Sequence, residues 1–151
     1  MSQQLGFMKQ NISVLHIDDD EVDKMMMKQA MSKAGMDYTI HNASDGIEAL
    51  DKLRGTNNVE ALNPLPNIIL LDVNMPRMSG HEFLEEIKQD EKLRRIAVIL
   101  LTTSESPEDV NTAYDGSIMA YLHKPVDFDD FIQTFKTLKA FWDMNTWPDL
   151  D

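Results

Sequence analysis

Apolar residues fall along this chain in short runs separated by polar stretches, and the period within each run sets the element it predicts. Ile68 to Leu71 is a block of four apolar residues between Pro66 and Pro76; so short a run, with proline on both sides, predicts a strand buried on both faces and not a helix. Ile12 to Ile17, interrupted by Ser13 and His16, and the fully apolar Ala97 to Leu101 predict two more strands. Tyr38 to Ala43 alternates as a strand does, and Met119 to His123 predicts a fifth.

Helical spacing fills the gaps. Val22, Met26 and Ala30 fall on one face of a helix that Asp20 and Asp23 can cap and Gly35 stops. Ser44 is placed to cap a helix carrying Ile47, Leu50 and Leu53. Ser79 with Glu82 makes a capping box ahead of Phe83, Leu84 and Ile87. Ser106, Pro107 and the acids Glu108 and Asp109 open another helix. Asp127 begins the last, whose Phe128, Phe131, Ile132, Phe135 and Leu138 form an apolar stripe. Strand and helix alternate five times, so the expected fold is α/β: a doubly wound, five-stranded parallel sheet with helices on both faces and right-handed crossovers. From Arg54 to Asn67 the chain turns polar and proline-rich. This is a long loop, of the kind that is often functional or mobile.

A length of 151 residues fits one domain with a substantial core and leaves no room for a second, effector domain. The expected division is an extension at 1–11, the domain at 12–141 and a tail at 142–151. A net charge of -12 with scattered lysines and arginines argues against a nucleic-acid partner, which needs a basic stripe; solubility explains most of the acidity. The absence of cysteine removes disulfides and thiol chemistry. Met1 to Gln10 lacks the apolar block of a signal peptide, and no later run approaches membrane-spanning length, so a soluble, cytoplasmic protein is expected. The eleven methionines fit adaptable core filling better than thioether metal ligation.

Charge position matters more than charge total. Parallel strands bring their carboxyl ends to one rim, where ligands bind in open α/β sheets. Asp18 and Asp19, Asp72, Thr102 and Lys124 each follow an apolar strand directly and so become candidates for one cluster. Singly they have plain explanations: Asp72 could begin a turn, Asp18 or Asp19 could cap a helix, and Lys124 could be a solvated charge. Together, three carboxylates repel one another and call for a cation or an upward pKa shift. Oxygen ligands with room for waters favour magnesium. Between a metal and a lysine such a site accepts a tetrahedral dianion such as a phosphoryl group, with Asp72 as the nucleophile that forms an acyl phosphate. An aspartate-nucleophile phosphatase of the haloacid dehalogenase type would carry a second aspartate two positions after the nucleophile; Asn74 stands there instead.

The motifs I-D-D after the first strand, L-L-D-V-N-M-P-R-M-S-G at the third, L-L-T-T-S at the fourth and Y-L-H-K-P at the fifth occur in one order, and from about Ile12 to Phe141 the chain resembles the receiver domains of two-component response regulators. The resemblance implies a flavodoxin-like sheet of order 2-1-3-4-5. It implies Asp72 as the phosphorylated aspartate, Asp18 and Asp19 as the acidic pair that helps hold Mg2+, and the backbone carbonyl of Asn74 as a further ligand. Thr102 corresponds to the switch hydroxyl, Tyr121 to the switch aromatic and Lys124 to the lysine on the phosphoryl oxygens. A cis bond is implied at Lys124-Pro125. The implied donor is a histidine kinase or histidine phosphotransfer protein, the output is a change of protein contacts with no nucleic acid or membrane, and turnover is limited to small phosphodonors and self-dephosphorylation. A receiver that only docks, without phosphorylation, is the alternative.

The long loop and the aromatic tail are similar to those of stand-alone regulators paired with cyanobacterial phytochromes, some of which dimerise. The tail has three readings: a dimer contact, a pack against the last helix, or disorder. Phe141, Trp142 and Trp147 are more apolar surface than a solvated terminus needs, which favours the dimer.

Overall fold

The computed structural model describes residues 11–150; the expected extension therefore lies almost wholly outside the described residues. In chain order the elements are β1 (Ser13–Ile17), α1 (Glu21–Lys33), β2 (Thr39–Ala43), α2 (Gly46–Arg54), β3 (Ile68–Leu71), α3 (Gly80–Gln89), β4 (Ala97–Thr102), α4 (Pro107–Asp115), β5 (Ala120–His123) and α5 (Phe128–Met144). The strands form one sheet in the order β2-β1-β3-β4-β5, and every neighbouring pair is parallel. This is the expected doubly wound α/β architecture.

Alternation along the central strands feeds two cores, as a period of two requires. Leu15, Ile17, Ile69, Leu71, Val98 and Leu100 bury against α2, α3 and α4 through Leu50, Leu53, Phe83, Ile87 and Ala113. Val14, Ile68, Leu70, Ile99 and Leu101 bury against α1 and α5 through Met27, Ala30, Met31, Phe131 and Phe135.

Four local expectations need correction. In α1 the inward stripe is Met27, Ala30, Met31 and Ala34, while Val22 is 60% exposed. Extended back by one turn, that stripe reaches Asp23, so the inward position of the first turn carries an acid and Val22 turns out. Helix α2 is capped by Asp45, whose carboxylate accepts from the Glu48 amide at 2.9 Å; Ser44 instead accepts a hydrogen bond from Lys24 Nζ at 2.7 Å. Among the described residues the cis peptide lies at Asn63-Pro64, not at Lys124-Pro125. Finally, α5 continues through Trp142 to Met144.

Trp142 is fully buried, seven residues after Phe135 on the same stripe, and its ring lies 6.0 Å from that of Tyr38. Trp147 packs on the same core, and Leu150 packs on the other. Arg95 donates to the Asp149 carbonyl. The segment after α5 thus lies along the amino ends of β4 and β5, and most of the apolar surplus that favoured a dimer is taken up inside one chain. The long loop is also pinned: Leu62 donates to the Lys52 carbonyl at 2.8 Å, and Leu62 and Leu65 pack on the core.

Candidate functional site

The residues that follow β1, β3 and β5 are each held by the neighbouring strand's last carbonyl. Asp18 donates its amide to Ala43 O, Asp72 to Ile17 O and Lys124 to Thr102 O. The ladder therefore continues one residue beyond these three strands and fixes where those side chains leave the backbone. On the far side, α3 begins against the same backbone. A Cβ on Gly80 would stand 2.5 Å from the Asp72 carbonyl oxygen and 2.9 Å from Val73 Cα, so only glycine allows the helix this close.

Lys124 Nζ is the centre of the site. It donates to Asp18 Oδ2 at 2.8 Å, Asp23 Oδ2 at 2.9 Å and Asp72 Oδ2 at 3.2 Å, and it is buried. The other oxygen of Asp72 accepts from Thr102 Oγ1 at 2.9 Å and from the Asn74 amide at 3.2 Å. Asp18 and Thr102 are buried, and Asp72 is half-buried. Asp19 stands exposed at the same rim, as does Asn74. Tyr121 is half-buried and donates to the Ser104 carbonyl at 2.9 Å. The strand-end candidates Asp18, Asp72, Thr102 and Lys124 therefore share one hydrogen-bonded cluster. Asp19 and Tyr121 lie at its margin.

The electrostatics follow from burial and partners. Burial pushes the Asp18 carboxyl up, opposed by its hydrogen bond from Lys124. Burial alone would lower Lys124, but hydrogen bonds to Asp18 and Asp23 and the charge of Asp72 outweigh it and hold the ammonium above the ordinary lysine range. Beneath them His16, buried and beside Lys124 and Lys24, is lowered to about 3 and stays neutral.

Three carboxylates face one ammonium, with Asp19 nearby. This surplus of hard oxygen donors suits a divalent ion of the magnesium type, which keeps several waters and takes few protein ligands. Among the described residues no three His, Cys, Asp or Glu side chains already surround a common point; the ammonium stands between the acids.

Several groups at the site follow no strand end. Asp23 lies within a helix, and only the phase of the Met27–Ala34 stripe points it inward. Arg77, with φ 63°, holds Asp45 through two bonds at 2.8 and 2.9 Å and ties the loop after Asp72 to the start of α2. Asp109 accepts from Ser104 Oγ and pairs with His81 Nε2 at 3.0 Å. No periodicity signals these last contacts, because loops crossing between elements create them.

Such a rim on a doubly wound sheet defines a phosphoryl-handling signalling domain more closely than a packing motif. The model of the response regulator receiver domain matches residues 14–136, and the chain belongs to that family. It is 36% identical over 129 residues to the probable methanogenesis regulatory protein FilR2 of Methanothrix harundinacea, covering 85% of this chain and 82% of that protein. It is 33% identical over 129 residues to the response regulator Rcp1 of Synechocystis, covering 85% and 87%; an Mn(2+)-bound structure of Rcp1 superposes with a TM-score of 0.79, covering 91% and 99%. The phosphorylated cyanobacterial phytochrome response regulator RcpA superposes with a TM-score of 0.84 at 30% identity, covering 93% of this chain and 100% of that one. Receiver domains belong to two-component systems, are phosphorylated on an aspartate, bind a divalent metal and interact with histidine kinases or phosphotransfer proteins; they are signalling domains, not enzymes in the ordinary sense. No helix among the described residues is long and apolar enough to cross a membrane.

Proposed function

We propose that this chain is the phosphoacceptor of a two-component relay: Asp72 takes a phosphoryl group from the phosphohistidine of a kinase or phosphotransfer protein, with Mg2+ in the site, and passes the change to protein partners. The observation that carries this reading is the engagement of both Asp72 oxygens. Lys124 Nζ lies 3.2 Å from one and Thr102 Oγ1 lies 2.9 Å from the other, and these are groups suited to an incoming dianion.

In the transfer, an Asp72 oxygen forms a bond to phosphorus as the phosphorus–imidazole bond breaks, and the imidazole leaves with the electron pair and takes a proton. Lys124 neutralises the phosphoryl oxygens and Thr102 donates to one of them. Asp18, Asp19, Asp72 and the Asn74 carbonyl would hold the ion, which supplies further neutralisation of those oxygens when bound. Once the new oxygens draw the Thr102 hydroxyl away from Asp72, the loop after β4 and the Tyr121 ring repack. The face formed by α4, β5 and α5 then shifts between two populations with different protein partners. Likeness to RcpA makes a phytochrome-type kinase the first donor to try. A homodimer would use Phe141 and Met144, which remain exposed; the mass in solution with and without phosphorylation decides it.

The test is incubation with acetyl phosphate and Mg2+, followed by intact mass measurement. A phosphoryl adduct is expected, and it should vanish in Asp72→Asn. A folded chain that takes no adduct contradicts the proposal.

A further inference from the structure

The loop between β4 and α4 holds a donor to the Thr102 hydroxyl and the acceptor of the Tyr121 hydroxyl, yet Thr103, Glu105 and Ser106 within it are exposed. Ser104 is the exception. Its amide donates to Thr102 Oγ1 at 3.3 Å, its carbonyl accepts from the Tyr121 hydroxyl at 2.9 Å, and its own hydroxyl donates to Asp109 Oδ2. One residue thus places both hydroxyls, and one side chain, that of Asp109, places the residue.

Asp109 sits in the first turn of α4, where an acid ordinarily serves its own helix's amides. Here Ser106 fills that place, accepting from the Asp109 amide. The Asp109 carboxylate turns away and spans Ser104 and His81. His81 belongs to the first turn of α3, directly after Gly80, which abuts the Asp72 backbone. Its Nδ1 is buried without a hydrogen-bond partner, so the ring's polar anchoring falls on the bond to Asp109. A closed circuit results: Asp72, Thr102, Ser104, Asp109, His81, and back through Gly80 to Asp72.

We propose that Asp109, held by His81, is a positioning residue for phosphoryl acceptance at Asp72: it fixes Ser104, and the Ser104 main chain fixes the Thr102 and Tyr121 hydroxyls. This rests on the reading of Asp72 as phosphoacceptor. Loss of the clamp lets the loop move by a fraction of an ångström to an ångström, which is enough to misplace a donor on a reacting oxygen.

The full chain is treated with acetyl phosphate and Mg2+, and the rate of adduct formation is followed by intact mass for the unmodified protein, Asp109→Ala and Asp109→Asn. Fluorotyrosine incorporation reports the Tyr121 environment by fluorine NMR before phosphorylation. Asp109→Ala should slow adduct formation by about tenfold and move the Tyr121 signal toward an exposed value. Asp109→Asn, whose carbonyl oxygen can still accept from His81 Nε2 while its NH2 donates to Ser104 Oγ, should restore most of both.

Adduct formation in Asp109→Ala at the unmodified rate overturns the clamp, as does slowing with an unmoved Tyr121 signal, or an Asn variant as slow as the Ala one. If Asp109→Ala does not fold, Ser104→Ala removes the same bond from the loop side and is held to the same outcomes. If the unmodified chain takes no phosphoryl group, the functional reading fails, and the Tyr121 signal alone still decides the clamp.

Discussion

At the carboxyl ends of the strands, Asp18, Asp23 and Asp72 crowd around the buried ammonium of Lys124; at the amino ends, Trp147 and Leu150 lie against apolar side chains of the two cores. The first end holds like charges together at an electrostatic cost that the Lys124 ammonium relieves most directly, with a cation adding to it when present. The second has no such tension and adds buried apolar area. Stability made at one end of the sheet therefore offsets strain concentrated at the other, where the proposed phosphoryl transfer would take place. The two ends should answer to different perturbations.

The largest expected effect belongs to the apolar side. Trp142→Ala removes a fully buried ring and should lower unfolding free energy by about 3–5 kcal/mol, read as a fall in the urea midpoint, with adduct formation by the folded fraction unchanged. A parallel loss of rate would erase the division between the ends. Lys124→Met comes next. It leaves three carboxylates without their ammonium and should cost about 3 kcal/mol in chelator. Millimolar Mg2+ should recover part of that loss, and no such recovery should occur in Trp142→Ala. Equal response of both variants to Mg2+ would break the comparison.

The smallest effect concerns the pair that ties the loop after Asp72 to α2. Burial would raise the Asp45 carboxyl, but the Glu48 amide and Arg77 outweigh it and hold it below the ordinary aspartate range. The unfolded chain thus takes a proton near 3.8 that the folded chain does not. The contribution is present above that pH and lost as pH falls through the lower, folded value. Arg77 is more than half exposed, so Arg77→Ala should cost under about 1 kcal/mol at neutral pH. Its deficit should shrink as urea titrations are repeated below pH 4. A deficit that grows on acidification would reverse the assigned sign.

The fold was readable because its signals are local. Apolar runs such as Ile68–Leu71 and caps such as Ser79, Ser106 and Asp127 stand where the elements begin and end. The meeting of Asp18, Asp72, Thr102 and Lys124 was readable for a related reason: parallel strands send their ends to one rim, so position after a strand already fixes the neighbourhood. Asp23 is hidden from sequence reading because its apolar neighbour, Val22, suggests the wrong helix phase. Trp142 reads as part of a tail although it continues the Phe131 and Phe135 stripe, since no glycine or proline marks the end of α5 and the stop comes only at Asn145. The Arg77–Asp45 and His81–Asp109–Ser104 contacts join residues brought together by loop crossings, and sequence spacing carries no trace of these.

Trapping the acyl phosphate tests the central claim most directly. After treatment with acetyl phosphate and Mg2+, reduction with borohydride converts a phosphorylated aspartate to homoserine, which tandem mass spectrometry locates on the peptide. Homoserine at position 72, and at no other aspartate of the rim, is the predicted result. An unaltered Asp72 in a folded chain, or conversion at Asp18, Asp19 or Asp23 instead, would contradict it.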